Sequence, residues 1–217
     1  MTRMVVFDMA GTTVDENNLV YKTVQQAVNE AGYAYSLEDV LAVGAGREKL
    51  QAIKAVLAGS GIVNDSLSET IFSRFNGLLH QAYAHATIQP QPHAAEIFQF
   101  LKHKNILVVL NTGYSRKIAS LLLEKLDWVV GRDIDALVTA DDVLKNRPYP
   151  DMIEFAMDKF DITDPTTVMK VGDSTIDIQE GFNAGCATSI GITTGAHSFE
   201  QLLKVKPTYI INDLKEL

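Results

Sequence analysis

Short apolar runs punctuate the chain, and most stop at a polar residue. Met4-Val5-Val6-Phe7 is apolar throughout and ends at Asp8. Ile106–Leu110 is wholly apolar and rich in β-branched residues, the signature of a strand buried on both faces. Val168–Val171 and Thr188–Ile192 resemble it, and Asp135–Val138 and Tyr209–Ile211 are weaker versions. Helix-like stretches lie between them: His93–Lys104, Ser115–Leu126, Tyr149–Phe160, Thr175–Ala184 and Ser198–Val205. This alternation predicts an α/β fold, a Rossmann-like doubly wound parallel sheet with helices on both faces.

The segment 15–87 has a different period. Val20, Val24, Ala27, Val28 and Ala31 form one stripe at helical spacing. Leu50, Ile53, Ala55, Val56 and Leu57 suggest a second helix, and Leu67, Ile71, Phe72, Phe75 and Leu79 a third. Ser36, with Asp39 three residues on, opens a short one as an N-cap. The pattern predicts a helical cap domain over 15–87, inserted after the first strand of a core formed by 1–14 and 88–217. Linkers near Val14 and Gln89 serve as hinges.

Composition removes several classes of function. The single cysteine, Cys186, excludes a disulfide scaffold and reads as a small buried hydrophobe. A formal net charge of −8, with no Lys/Arg cluster, argues against a nucleic-acid partner. No apolar run approaches the ~20 residues of a membrane span, and Met4–Phe7 is too short for a signal-peptide core. The expected setting is cytoplasmic.

Ligands of open parallel sheets sit beyond the carboxyl ends of the strands, and four polar clusters fall there. In Asp8-Met9-Ala10-Gly11-Thr12-Thr13, Asp8 is a turn cap, a nucleophile or a metal ligand, and the turn's N–H groups offer phosphate donors. In Asn111-Thr112-Gly113-Tyr114, Thr112 is a helix cap or part of an anion site. Arg147, before a Pro-opened helix, is a surface cation, a phosphoryl neutraliser or the group that keeps a carboxylate ionised. Asp173 and Asp177, at a strand end and in the next helical turn, cap the helix or converge with Asp8 on a hard divalent cation. His197, in a loop after a strand end, is expected to be exposed, and Trp128 to pack in the core or an interface.

These four clusters, in this order, resemble the haloacid dehalogenase superfamily of aspartyl phosphotransferases, over essentially the whole chain. The resemblance implies attack of Asp8 on phosphorus, an aspartyl-phosphate intermediate, and Mg²⁺ held by Asp8, the Ala10 carbonyl, Asp173 and Asp177. It also implies a small-molecule phosphonate or phosphate substrate, and allows a homodimer through the cap. Phosphatases of the family carry a second Asp two positions after the nucleophile, where this chain has Ala10. An alanine transfers no proton, which forfeits roughly the 10²–10⁴-fold such groups contribute. Asp-x-Ala-Gly-Thr-Thr, Thr112-Gly113-Tyr114 and Arg147-Pro148-Tyr149-Pro150 look like the phosphonoacetaldehyde hydrolase branch, and more closely like its phosphonatase-like relatives.

That branch implies C–P cleavage with an imine-forming cap lysine in a Gly-x-x-Lys context, which places Gly46 and Lys49 in the site. Lys49 needs to be partly neutral, through desolvation or nearby Arg47. Lys54 points about 140° away on the same helix. Ala52 stands where the branch has a histidine, and Ala45 where it has a methionine. Expected substrate contacts are Ala10, Gly11, Thr12, Gly46, Gly113 and Tyr114; expected catalytic groups are Asp8, Lys49, Thr112 and Arg147. The alternatives are a phosphomonoesterase for a small metabolite such as phosphoglycolate, and a non-catalytic phosphate-binding module.

Overall fold

The computed structural model describes residues 1–217. Six parallel strands form the central sheet: β1 (Met4–Asp8), β4 (Leu107–Thr112), β5 (Ala136–Thr139), β6 (Val168–Gly172), β7 (Thr188–Ile192) and β8 (Tyr209–Ile211), in the order β5-β4-β1-β6-β7-β8. β2 (Val14–Asp15) and β3 (Gln89–Pro90) are a separate antiparallel pair, with Val14 opposite Pro90 and Asp15 opposite Gln89. The two expected hinge segments are thus tied to each other.

β1 is buried at all its positions because both faces of the sheet are covered. Phe7 packs edge-on to Phe98 of α5 (Ala94–His103), with ring centroids 5.5 Å apart. Met4 and Val6 point the other way, into a cluster with Met152, Ile153 and Ala156 of α7 (Asp151–Lys159). α6 (Arg116–Lys125), α8 (Thr175–Asn183) and α9 (Phe199–Leu203) complete the layers. β4 runs two residues beyond the apolar run seen in the sequence. Its polar tail pairs Asn111 with Asp8 and Thr112 with Thr139. β1 lies between β4 and β6, the point at which chain order reverses across the sheet. Asp8, Thr112 and the Gly172-Asp173 corner therefore emerge side by side.

Between β2 and β3 lie α1 (Leu19–Glu30), α2 (Leu37–Gly44), α3 (Lys49–Gly59) and α4 (Asp65–His85), which pack on one another. The α1 stripe buries Val20, Val24, Ala27 and Val28, while Ala31 falls past the helix end and is exposed. α2 opens on a capping box: Asp39 N donates to Ser36 Oγ at 3.1 Å and Ser36 N to Asp39 Oδ2 at 2.8 Å. No helix is long and apolar enough to cross a membrane.

Candidate active site

The turn after β1 is knotted on its own backbone. The N–H groups of Thr12, Thr13 and Val14 donate to the Met9 carbonyl, and that of Gly11 to the Val14 carbonyl. The sequence pointed to the turn's backbone N–H groups as phosphate donors; those of Gly11 and Thr12 are engaged within the turn. The turn instead shapes the acidic cluster. Gly11 has φ +87°, and a Cβ there would stand 2.4 Å from Asp173 Oδ2. Thr12 Oγ1 makes a long contact to Asp173 Oδ1 at 3.4 Å, and Thr13 Oγ1 donates to the Asp8 carbonyl at 2.9 Å. The Ala10 carbonyl accepts none of the turn's hydrogen bonds.

Arg147 is buried and fully engaged. Nη1 donates to Asp8 Oδ1 at 2.5 Å and lies 2.9 Å from Asp177 Oδ1. Nε donates to Glu180 Oε2 at 3.0 Å, and Nη2 to the carbonyl and side-chain oxygens of Asn111 at 2.8 and 2.5 Å. Of the readings open for Arg147, the geometry favours the one in which it holds the Asp8 carboxylate. A second cation, Lys170, is fully buried behind it. Its Nζ lies 2.6 Å from Asn111 Oδ1, 3.0 Å from Glu180 Oε2 and 3.2 Å from Asp177 Oδ1.

Lys170, Glu180 and Asn111 were not among the expected site residues. Two sequence signals were present: a lysine inside an apolar strand, and an acid one helical turn after Asp177. Ser174 was also missed as a partner of Asp177; it caps α8 and donates to Asp177 Oδ2 at 2.5 Å.

Burial opposes the Arg147 charge, and the carboxylates of Asp177, Glu180 and Asp8 more than offset this, holding its pKa above the ordinary arginine value. Burial also works against the Asp177 carboxylate, but Arg147 and Lys170 bring its pKa below the usual range. Asp8 is raised, by burial first and then by Asp177, with Arg147 acting the other way. Asp173 is raised well above the usual range by burial and by the Asp8 and Asp177 charges. It receives hydrogen bonds from Ala196 N (2.6 Å) and Thr12, and no side-chain cation pairs with it. Asp8, Asp173 and Asp177 each offer an oxygen, all within 4.8 Å of one another. Asp177 Oδ1 is buried without an aligned hydrogen bond. Clustered, under-compensated carboxylates beside a free carbonyl fit a divalent cation.

Thr112 is buried, and its Oγ1 accepts from Tyr114 N at 3.2 Å. The N-terminus of α6, expected to offer an anion site, is partly taken: Arg116 N donates to Asp141 Oδ2 at 2.7 Å. Gly113 backs onto the Arg47 backbone, where a Cβ would be 2.8 Å from the Arg47 carbonyl. Gly46 (φ +76°) donates its N–H to Tyr21 OH at 2.9 Å, and a Cβ there would strike Ser174 Oγ at 2.2 Å. These two glycines let the loop before α3 lie directly on the strand ends.

Lys49, the first residue of α3, is buried there. Its Nζ sits 5.0 Å from the Tyr114 ring centroid and 5.6 Å from that of Tyr21, and donates to the Arg47 carbonyl at 2.7 Å. Burial lowers the Lys49 pKa, with the Glu48 and Asp8 charges opposing. The Arg47 guanidinium, one of two expected causes, turns away to the Val43 carbonyl. Lys54 pairs with Asp65 at 2.7 Å on the outside of the helix. A cleft of about 580 Å³ opens here, lined by Lys49, Gly113, Tyr114 and Arg147 among others. Asp8 lies behind Arg147, outside the cleft's lining.

His197 corrects another expectation. It is buried, with Nδ1 accepting from Thr175 N at 3.0 Å and Nε2 facing the Leu41 carbonyl at 3.3 Å, so it ties α8 to α2. Trp128 is buried against Phe98, with centroids 5.1 Å apart. Burial pushes the Cys186 thiol up to about 12, which leaves it unreactive.

Residues 5–190 match the family model described as haloacid dehalogenase-like hydrolase. Among curated relatives, a phosphonoacetaldehyde hydrolase of Latilactobacillus sakei subsp. sakei is 32% identical over 85% of this chain and 73% of its own. A phosphoglycolate phosphatase of Vibrio parahaemolyticus is 29% identical over 99% of this chain and 94% of its own. Among solved structures, a phosphonoacetaldehyde hydrolase-like protein from Oleispira antarctica superposes with a TM-score of 0.87 at 22% identity, over all of this chain and 90% of that one.

Proposed function

The chain belongs to the haloacid dehalogenase-like hydrolase family, and from that premise we propose that it cleaves the C–P bond of a small aldehyde or keto phosphonate through an imine on Lys49. The observation that carries this reading is the setting of Lys49: an amine desolvated between two tyrosine rings, in a cleft also lined by Arg147, the partner of Asp8. Ala10 agrees with it, since carbon leaving into an imine needs no acid at that position.

In this reading residues 15–87 act as a cap on a core of 1–14 and 88–217, in a cytoplasmic setting. Arg147 holds the Asp8 carboxylate toward phosphorus. Lys49 condenses with the carbonyl carbon and releases water. Asp8 Oδ attacks phosphorus, the C–P bond breaks, and its electron pair flows into the protonated imine to give an enamine. A proton on carbon regenerates the imine, and water then frees the product from Lys49 and the phosphate from Asp8. Mg²⁺ suits the oxygen ligands of Asp8, Asp173, Asp177 and the Ala10 carbonyl; bound there, it offsets phosphoryl charge. Thr112 and the Gly113-Tyr114 corner meet the phosphonate, and Gly46 lets Lys49 approach.

The test is product stoichiometry. Phosphonoacetaldehyde with Mg²⁺ is expected to yield phosphate and acetaldehyde in equal amounts, and Lys49→Ala to abolish both. A second reading, phosphomonoester hydrolysis, is favoured by the near full-length similarity to the Vibrio phosphoglycolate phosphatase. Phosphoglycolate turnover untouched by Lys49→Ala would establish that reading instead.

A further inference from the structure

A second buried acid lies on the cap side, away from the metal-type carboxylates. Glu16 follows β2 and is buried. Its carboxylate accepts from Val20 N at 3.1 Å, at the start of α1. It also contacts the hydroxyl of Tyr83 on α4, which lies 2.8 Å from the hydroxyl of Tyr114. Tyr114 lines the cleft, and Lys49 Nζ stands over its ring. Glu16, Tyr83 and Tyr114 thus form a chain of hydroxyls from a buried carboxyl group to the tyrosine whose ring lies under the amine.

The direction of that chain depends on one proton. With Glu16 ionised, Tyr83 donates to it and Tyr114 donates to Tyr83, so both hydroxyl protons are committed toward the carboxylate. With Glu16 protonated, it donates to Tyr83, Tyr83 donates to Tyr114, and the Tyr114 proton is released from Tyr83. The groups facing Glu16 are Tyr83 on α4, Tyr114 after β4, Tyr21 on α1 and Lys49 on α3; only Lys49 bears a positive charge. Burial pushes the Glu16 carboxyl up to about 7, with Tyr83, Val20 and Lys49 acting against it.

We propose that Glu16 is a positioning residue that supplies and recovers the proton of the Lys49 condensation through Tyr83 and Tyr114. This rests on the imine reading above. The neutral Lys49 nitrogen bonds to the carbonyl carbon, the C=O π pair moves to oxygen, and a nitrogen proton passes to that oxygen. The carbinolamine C–O bond then breaks. Its oxygen leaves as water with the Tyr114 proton, Tyr83 replenishes Tyr114, and Glu16 replenishes Tyr83. The nitrogen lone pair closes the C=N bond, leaving an iminium cation near an ionised Glu16. When water later releases the product, the proton returns along the same path, so protons balance and nothing is oxidised or reduced.

The experiment measures the rate at which phosphonoacetaldehyde becomes borohydride-trappable on the protein, from pH 5 to 9, in wild type, Glu16→Gln and Tyr83→Phe. Tyr83→Phe leaves the carboxyl in place and removes the hydroxyl between it and Tyr114, so it keeps the test alive where Glu16→Gln folds poorly. The expected wild-type rate falls above about pH 7 as Glu16 ionises. Both variants are expected to trap roughly 100-fold more slowly, without that limb. Trapping in both variants at the wild-type rate and with the wild-type profile overturns the relay and leaves the imine reading standing. No trapping on Lys49 in wild type overturns the imine reading, and the relay with it.

Discussion

Two buried charge clusters meet at this site, and they are balanced differently. Beneath the strand ends, Asp8, Asp177 and Glu180 share Arg147 and Lys170, and Asp173 beside them pairs with neither. With all four ionised, four carboxylates against two cations leave two negative charges, a deficit that a bound divalent cation would offset. On the cap side, Glu16 and Lys49 are one acid and one base, with the Tyr83 and Tyr114 hydroxyls on the acid and the Tyr114 ring under the amine. Burial pushes both toward their neutral forms. The first cluster has the ligands to take an added cation, whereas the second is left without charge when Glu16 holds its proton and Lys49 has lost one. Electrostatic stabilisation of a phosphoryl group needs fixed charge, and imine chemistry needs an amine that gives up its charge. In the proposed reaction these demands fall on separate groups, the carboxylates at the strand ends and the cap-side amine.

Removing a member of either cluster separates the two roles. The largest effect is expected from Asp8→Asn, which removes the nucleophile: turnover of any phosphonate or phosphate ester should fall on the order of 10⁴-fold or more in a steady-state assay. Lys49→Ala should reduce phosphonoacetaldehyde cleavage by at least the roughly 10²–10⁴-fold typical of a proton-transfer group. It should spare the Mg²⁺-dependent rise in Tm, because the cation belongs to the other cluster.

Glu16→Gln sharpens the comparison through stability. An acid whose pKa rises from 4.5 to about 7 on folding keeps its proton while the unfolded chain loses it. It costs nothing below about pH 4.5, and wild-type stability declines progressively to about pH 7. At about 1.4 kcal/mol per pKa unit, the full cost above pH 7 is about 3 kcal/mol. Denaturant titrations of wild type and Glu16→Gln should therefore diverge in that window, the variant gaining at the alkaline end. A constant difference across pH would show that Glu16 does not titrate there.

The smallest effect concerns the cation. In EDTA, Asp173→Asn should be more stable than wild type, because a repelled and unpaired carboxylate is removed. Excess Mg²⁺, at about 100 times its Kd, should stabilise wild type by roughly 2.7 kcal/mol, and Asp173→Asn far less. Melting curves with and without Mg²⁺ check whether the order reverses.

The sheet was legible because each strand is an apolar run with polar residues at its end. That pattern located Asp8, Thr112 and Asp173 without any knowledge of their neighbours. The supporting charges were harder to see. Lys170 hides in a strand that reads as apolar, and Glu180 looks like any helical acid until Arg147 is brought beside it. Asn111 was visible only as a strand end, although its amide bridges both cations to Glu180. Glu16 looks like a linker residue, because its partner Tyr83 lies 67 positions away. His197 looked exposed because its two partners come from separate helices. Local pattern revealed strand ends and caps; charge compensation across the fold had no local signature.

The most direct test of Lys49 as the imine-forming residue is a peptide map of protein reduced with borohydride in the presence of phosphonoacetaldehyde and Mg²⁺. The expected result is a two-carbon adduct on the peptide carrying Lys49, accompanied by loss of activity and absent without substrate. An unmodified Lys49 in protein that still releases phosphate from phosphonoacetaldehyde would contradict it.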